Sequence, residues 1–318
     1  MAVGSYEMYS VPRVWQPSDL AEAWELRRAL GAESCFVAGG TLLRTQWEAG
    51  AAAMPRHLIS LERISALKGI RVIRTSPPER QVLRIGPLTT LEGVRRNPYS
   101  KLLAEACRTI AAPSIRHQGT IGGNVASGIG DAIPALLVLG AELVWFDGGE
   151  CVTESLEDWL AAAKDSGRNA HDHRILTGLV ANGDEIEGGS DEERKRRIVF
   201  YHKVGRREAF VPSLITAAGS LRLHEDGRVA TAKLAVGGGA STAQRLHETE
   251  ALLEGKELTP EMMRRVLNGI SSEWKAFRDA FATAEYRRTA AANLIVSELW
   301  SARRRNNGKR GGESDAVK

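Results

Sequence analysis

Cysteine is scarce in this chain. Its 318 residues include three, Cys35, Cys107 and Cys151, far apart and with no C-x-x-C pair. An ordinary iron–sulfur cluster needs four thiolates, so this chain by itself holds none. The nearest histidine pair, His171 and His173, lies in a polar loop without a cysteine or spaced carboxylate beside it. That reads as surface, not as a zinc site. Long apolar runs are missing too. None reaches the ~18 residues of a membrane span. The N-terminus has no basic start leading into an apolar stretch, so no secretory signal is read and a cytoplasmic location is expected.

A real charge excess is also missing from the body of the chain. The formal net charge is +4, but residues 303–318 hold six basic and two acidic side chains and supply all of it. The rest is close to neutral. A solvated, disordered basic tail is expected there. Neither nucleic acid nor a membrane is expected as a partner. The familiar phosphate motifs are absent as well. There is no G-x-x-x-x-G-K-S/T, and Gly128-Ile129-Gly130 begins a dinucleotide fingerprint that fails at Ile133. No G-x-S-x-G nucleophile elbow occurs.

What is present is alternating strand and helix pattern. Val11–Trp15 reads as a strand. Ser18 then caps a helix with Asp19 and Glu22 in its first turn and Leu20, Ala23, Trp24 and Ala29 on its apolar side; Gly31 ends it. Cys35–Ala38 and His57–Ser60 read as strands around a helix reaching Ala49. A second lobe starts near Gly69, with paired strands at Arg71–Arg74 and Val82–Ile85. Helices follow at Thr89–Arg96, Ser100–Ile110 and Asp131–Gly140, then a strand at Leu143–Phe146. Residues 164–173 and 181–197 read as polar loops. Ile198–Val204, Ser213–Leu223 and Val229–Val236 are strands, the last two joined by a turn with Asp226-Gly227. Helices at Glu248–Leu253, Thr259–Ser271 and Ala284–Ala302 close the chain.

Two glycine clusters stand out. Phe36-Val37-Ala38-Gly39-Gly40-Thr41-Leu42-Leu43 runs from a strand through Gly-Gly-Thr into a helix. The stretch RHQGTIGGNVASGIGD, Arg116 to Asp131, holds five glycines in sixteen residues. Backbone without side chains can expose N–H groups to a diphosphate. Each cluster alone reads as a structural turn. Two in one small domain bring a phosphate ligand level with that reading, the second with bare N–H groups, the Thr120 hydroxyl and the Asn124 amide.

FVAGGTLL, then GTIGGN…D and AIPALLVLGAEL, resemble the FAD-binding middle subunit of molybdenum hydroxylases. These include the xanthine dehydrogenase, carbon monoxide dehydrogenase and aldehyde oxidoreductase relatives. FYHKVGRR resembles the start of that family's C-terminal domain, and GSLRLHEDGRVATAKLAVGGGAS its hairpin. The resemblance spans nearly the whole chain. It implies an α+β fold: a two-lobed PCMH-type FAD domain over residues 1–195, with lobes of about 1–65 and 66–195, then a C-terminal α+β domain over 196–302 with a small antiparallel sheet and helices.

It also implies site residues. Val37, Ala38, Gly39, Gly40, Thr41, Leu42 and Leu43 would wrap the FAD diphosphate. Gly119, Thr120, Gly122, Gly123 and Asn124 would form the second loop against the cofactor. Asp131 would hold ribityl or nearby polar atoms, Leu176 would lie near the adenine or the ring, and Lys203 would contact the flavin side. No residue is expected to act as nucleophile or general base. A molybdenum cofactor would lie on a large partner subunit and [2Fe-2S] clusters on a small one, with NAD as one acceptor. One departure is plain. Relatives read GGN-x-x-x-x-S-P-x-x-D, whereas Asp131 here follows Asn124 by seven residues and the Ser-Pro pair is missing. A stand-alone flavin oxidoreductase of the wider fold, or an assembly subunit that has lost FAD, are the alternatives.

Overall fold

The structure is a computed structural model that describes residues 11–75, 80–165, 173–181, 196–207, 212–239 and 241–314. The loops read at 164–173 and 181–197, with His171, lie almost wholly outside these residues.

The first lobe is a three-stranded parallel sheet. β1 (Arg13–Trp15) and β2 (Ser34–Val37) both pair with the central β3 (His57–Ser60). Parallel neighbours need a crossover, which α1 (Leu20–Leu30) and α2 (Thr41–Glu48) supply. Asp19, not Ser18, caps α1. The Asp19 carboxylate accepts from the Glu22 N–H at 2.9 Å, while the Ser18 N–H and hydroxyl both donate to the Glu22 carboxylate. The two residues thus form a reciprocal cap, shifted by one position from the reading. Ala29 is exposed. On the buried face, Arg27 stands beside Ala23.

The second lobe is a five-stranded antiparallel sheet in the order β4-β5-β8-β6-β7. Its strands are β4 (Ile70–Thr75), β5 (Arg80–Ile85), β6 (Glu142–Phe146), β7 (Cys151–Ser155) and β8 (Ile175–Ala181). Between β5 and β6 run five short helices: α3 (Leu91–Arg95), α4 (Lys101–Arg108), α5 (Pro113–Gln118), α6 (Ile121–Ala126) and α7 (Ile133–Val138). α8 (Leu156–Asp165) follows β7. The two lobes meet across a shared apolar cluster of Ile59, Leu61, Ile64, Leu67, Leu88 and Ile175. A Cβ on Gly148, whose φ is +99°, would stand 2.5 Å from Trp24 Cδ2, so the β6–β7 turn presses on α1.

The C-terminal sheet, order β12-β11-β10-β9, is antiparallel. It comprises β9 (Arg197–Gly205), β10 (Ser213–Leu223), β11 (Val229–Gly238) and β12 (Ser241–Arg245). α9 (His247–Leu253), α10 (Pro260–Glu273) and α11 (Ala284–Ser314) follow. One face of the sheet packs on these helices through Ile215, Leu221, Leu234, Met263 and Ile295. The other turns small residues, Ala218 and Ala235, into the second-lobe core. α7 fits against it: all six of its residues are buried, as an all-apolar helix requires. The tail expected to be disordered from Arg303 is helical as far as Ser314. Leu299 and Ala302 are still buried, and extending a formed helix costs far less than starting one.

Candidate functional site

The first glycine cluster is the turn from β2 into α2. Gly40 has φ +66°, a left-handed conformation that a side chain resists, and it caps α2 without a side-chain acceptor. The N–H groups of Thr41, Leu42 and Leu43 have no intrahelical partners at such a helix start. They lie at the carboxyl end of a parallel sheet, where ligands of such sheets bind. Leu42 is exposed beside them.

Gly39 is glycine for another reason. A Cβ there would stand 2.7 Å from the Gln118 carbonyl carbon and 3.0 Å from Gly119 Cα. The two bends therefore face each other and touch. From the other side, a Cβ on Gly119 would meet Thr41 Oγ1 at 3.2 Å.

The second bend joins α5 to α6. Thr120 caps α6, its hydroxyl accepting from the Gly123 N–H at 3.1 Å. The bend is stitched to the chain before α3: Leu91 N–H donates to Gly119 O, and Ile121 N–H to Thr89 O. Gly122 N–H donates to Pro87 O at 2.9 Å, and a Cβ on Gly122 would lie 2.5 Å from Pro87 Cβ. The expectation of bare N–H groups here is corrected. The amides of Gly119, Ile121, Gly122, Gly123 and Asn124 all donate within the chain. What this bend offers a ligand is smooth backbone: Gly123 is exposed, and a Cβ there would meet only Thr120 Oγ1, at 3.2 Å.

Asn124 has an inward task. Its Oδ1 accepts from the Ala132 N–H at 3.1 Å, its carbonyl accepts from the Ser127 hydroxyl at 2.7 Å, and a Cβ on Gly130 would collide with its carboxamide. The shortened VASGIG turn is folded onto this one side chain.

Asp131 and Lys203, both expected at the cofactor, are brought together by the fold. Lys203 Nζ lies 2.8 Å from Asp131 Oδ2 and donates to Thr109 O at 3.0 Å. The Ser213 hydroxyl donates to Asp131 Oδ1 at 2.6 Å, and the Tyr201 hydroxyl to Asp131 O at 2.7 Å. Leu176, on β8, is buried in the second-lobe core opposite Trp145 and presents almost no surface to a ligand.

Several residues behind the bends escaped sequence reading. Chief among them is Glu92, on α3 and buried. Arg95 holds its carboxylate at 2.6 and 2.9 Å, Arg96 at 2.9 Å and Arg116 at 3.2 Å. Arg116 also donates to Ile110 O and Ala111 O. Ala111 takes φ +44° between α4 and α5. One carboxylate thus orients the helix that delivers Gly119. A glutamate 24 residues from its arginine has no local signature.

The hydrogen bonds from Arg95 first, then from Arg96 and Arg116, hold the Glu92 carboxyl well below the ordinary carboxylate range. A depressed value stabilises above the unfolded value of about 4.3 and is lost as pH falls toward the folded one. Glu92→Gln should therefore lower the urea midpoint at neutral pH. It should also flatten the fall in stability below about pH 4, because the group that titrates there is gone. Parallel stability–pH curves for variant and parent would refute this role.

These parts fit a flavin dinucleotide. An open helix start suits a diphosphate, and two abutting glycine walls let a flat ligand approach the backbone. Fold and site together define a two-lobed flavoprotein domain with an appended α+β domain. The pattern of the FAD binding domain in molybdopterin dehydrogenase matches residues 7–180, and that of the CO dehydrogenase flavoprotein C-terminal domain matches 200–300. The chain belongs to this family of FAD-binding medium subunits of molybdenum hydroxylases, and is an oxidoreductase subunit whose cofactor is FAD.

The chain is 28% identical over 313 residues to the carbon monoxide dehydrogenase medium chain of Afipia carboxidovorans, covering 93% of this chain and 96% of that one. It is 36% identical over 127 residues to the carbon monoxide dehydrogenase medium chain of Hydrogenophaga pseudoflava, a match spanning 38% of this chain and 42% of that protein. Among solved structures, a chain of the Cu,Mo-CO dehydrogenase in its cyanide-inactivated form has the same fold. The TM-score is 0.77 at 23% identity, over 93% of this chain and 99% of that one.

Proposed function

We propose that this chain is the electron-transfer station of a molybdenum hydroxylase complex. It receives electrons from [2Fe-2S] clusters on a small partner subunit, which draw them from a molybdenum cofactor on a large one, and passes them to an acceptor such as NAD. The observation that carries this reading is the seating of Gly39 directly on Gln118–Gly119. It brings the open start of α2 and the glycine wall of α6 into one cradle.

FAD, when bound, supplies the one- and two-electron redox chemistry that links single-electron clusters to a two-electron acceptor. The chain's own work is to bind and orient. Gly39, Gly40 and the N–H groups of Thr41, Leu42 and Leu43 would hold the diphosphate. Exposed Leu42 would cover apolar cofactor surface. Gly123 would let the cofactor lie against bare backbone, with the Asn124 amide nitrogen beside it.

The clusters are assigned to another chain because these cysteines are poor ligands. The three are free and sit on separate elements. Burial pushes the Cys35 thiol up to about 11 and the Cys107 thiol up to about 12, far from the thiolate a metal requires. Among the described residues, no helix is long and apolar enough to cross a membrane.

The test is a visible spectrum of the purified chain, followed by metal analysis of whatever copurifies with it. A flavin band released by heat, with molybdenum and iron in the copurified complex, is the expected result. A chain that stays colourless after addition of FAD would sink the proposal.

A further inference from the structure

The second flavin bend is carried by a six-residue helix whose entry is strained. Ile110, Ala111 and Ala112 lead from the end of α4 into α5. Ala111 takes φ +44°, the one left-handed conformation that a residue other than glycine adopts among the described residues. Its Cβ disfavours that backbone, which glycine would accept freely. Nothing further along the chain can take the bend over. Pro113 fixes its own φ and keeps the residue before it extended, and Ala112 is extended, with φ −77° and ψ 157°. The direction in which α5 leaves is therefore set at Ala111.

Arg116 holds this joint. It lies on α5, five residues past Ala111, and its Nη1 turns back to donate to Ile110 O at 3.0 Å and to Ala111 O at 2.8 Å. Its Nε donates to Glu92 Oε2 at 3.2 Å. The side chains of Arg116 and Glu92 are 11% and 6% exposed, so water competes little for these bonds. α5 has no side-chain cap, and a helix this short does not hold its shape unaided. Its last residue is Gln118, against which Gly39 is seated. α3 grips the helix twice, through Glu92 on Arg116 and through the Leu91 N–H on Gly119 O. A costly backbone conformation persists only where its surroundings over-determine it, and such joints cluster at functional sites. We infer that Arg116 is a positioning residue: it keeps the strained joint at Ala111 closed, and so holds Gln118–Gly119 against Gly39 in the flavin cradle. This rests on the proposal that FAD lies at the two bends.

The full-length chain tests it, by FAD titration and by the visible circular dichroism of the bound flavin. Arg116→Met should weaken FAD by roughly tenfold, the factor by which a left-handed backbone is disfavoured outside glycine, and should alter the dichroism. Arg116→Lys should fare no better, because an ammonium cannot span Glu92 and two carbonyls as a planar fork does. Ala111→Gly, added to Arg116→Met, should recover much of the affinity and the parental dichroism, since the bend then needs no holding. An Arg116→Lys chain that keeps its FAD would overturn the inference, because charge alone would then suffice. So would a loss in Arg116→Met that Ala111→Gly does not recover, the mark of a direct contact with the cofactor. Parental affinity in Arg116→Met would overturn it too. Should Arg116→Met fail to fold, Glu92→Gln takes its place, because it frees Arg116 from α3. A loss of FAD that Ala111→Gly recovers then supports the inference, and unchanged or unrecovered affinity overturns it. A parent chain that takes up no FAD refutes the flavin site itself, and is told apart because it fails before any substitution.

Discussion

Gly39→Ala is expected to abolish FAD retention and lower the melting temperature of the chain, although it adds one methyl group. The added Cβ would stand 2.7 Å from the Gln118 carbonyl carbon, 3.0 Å from Gly119 Cα and closer still to the Gln118 oxygen. All three are backbone atoms, so no rotamer change relieves the overlap. One bend has to retreat from the other. Gly119 cannot yield freely, because its N–H donates to Ile115 O and its carbonyl accepts from Leu91 N–H. The retreat must come from the turn into α2, and it opens the cradle at the point where the diphosphate would lie.

Gly123→Ala provides the contrast. Its Cβ would meet only Thr120 Oγ1, at 3.2 Å, so the fold should survive while approach to the backbone is hindered. FAD content after gel filtration, with a thermal melt of each variant, separates the two. Parental FAD content and melting in Gly39→Ala would show that the bends do not abut.

The second large effect is expected far from any exposed surface. Arg27, 2% exposed, donates through Nη1 to Gly31 O, to Ser34 O at 2.7 Å and to Ser34 Oγ at 3.0 Å. It fastens the turn where α1 reverses into β2, and β2 is the strand that delivers Gly39. Arg27→Met keeps much of the volume and removes every donor. Gly31 O keeps the Ser34 hydroxyl and N–H, but Ser34 O loses this donor, and an acceptor left buried without a partner costs about 1–3 kcal/mol, so a loss on that scale is expected. Cys35, held up at about 11 by burial against the pull of the Arg27 charge, should rise further still. Urea denaturation gives the stability, and thiol labelling against pH gives the cysteine. An unchanged urea midpoint would mean that the turn stands without this side chain.

Much of the fold was legible. The strands His57–Ser60 and Ser213–Leu223 fall where alternation put them. The pair β4–β5 and the helices α9 and α10 differ from the reading by a few residues at most. Six elements were not read: α5, α6, β7, α8, β8 and β12. β7 (Cys151–Ser155) is an edge strand with Cys151, Val152 and Thr153 all exposed, so it has no apolar face to betray it. α8 follows it directly. β12 begins inside GGGAST, where the glycines speak for a loop, yet its ladder to β11 holds it as a strand. α6 is a helix through Ile121-Gly122-Gly123-Asn124, against the low helix propensity of glycine. Contact with Pro87 selects it, since only residues without Cβ can pack so close.

By itself, then, the sequence determined the two bends without side chains, their position between strand and helix, and the family to which they belong. These are local matters: a missing Cβ, a left-handed φ and a hydrophobic period are written in adjacent residues. Tertiary structure alone decided that the bends touch, that the amides of the second are already spent, and that Asp131 faces the C-terminal sheet. Asp131 and its partner Ser213 are 82 residues apart in the chain. Which donor satisfies which acceptor depends on what folding brings within about 3 Å, and no pattern of neighbouring residues records that distance.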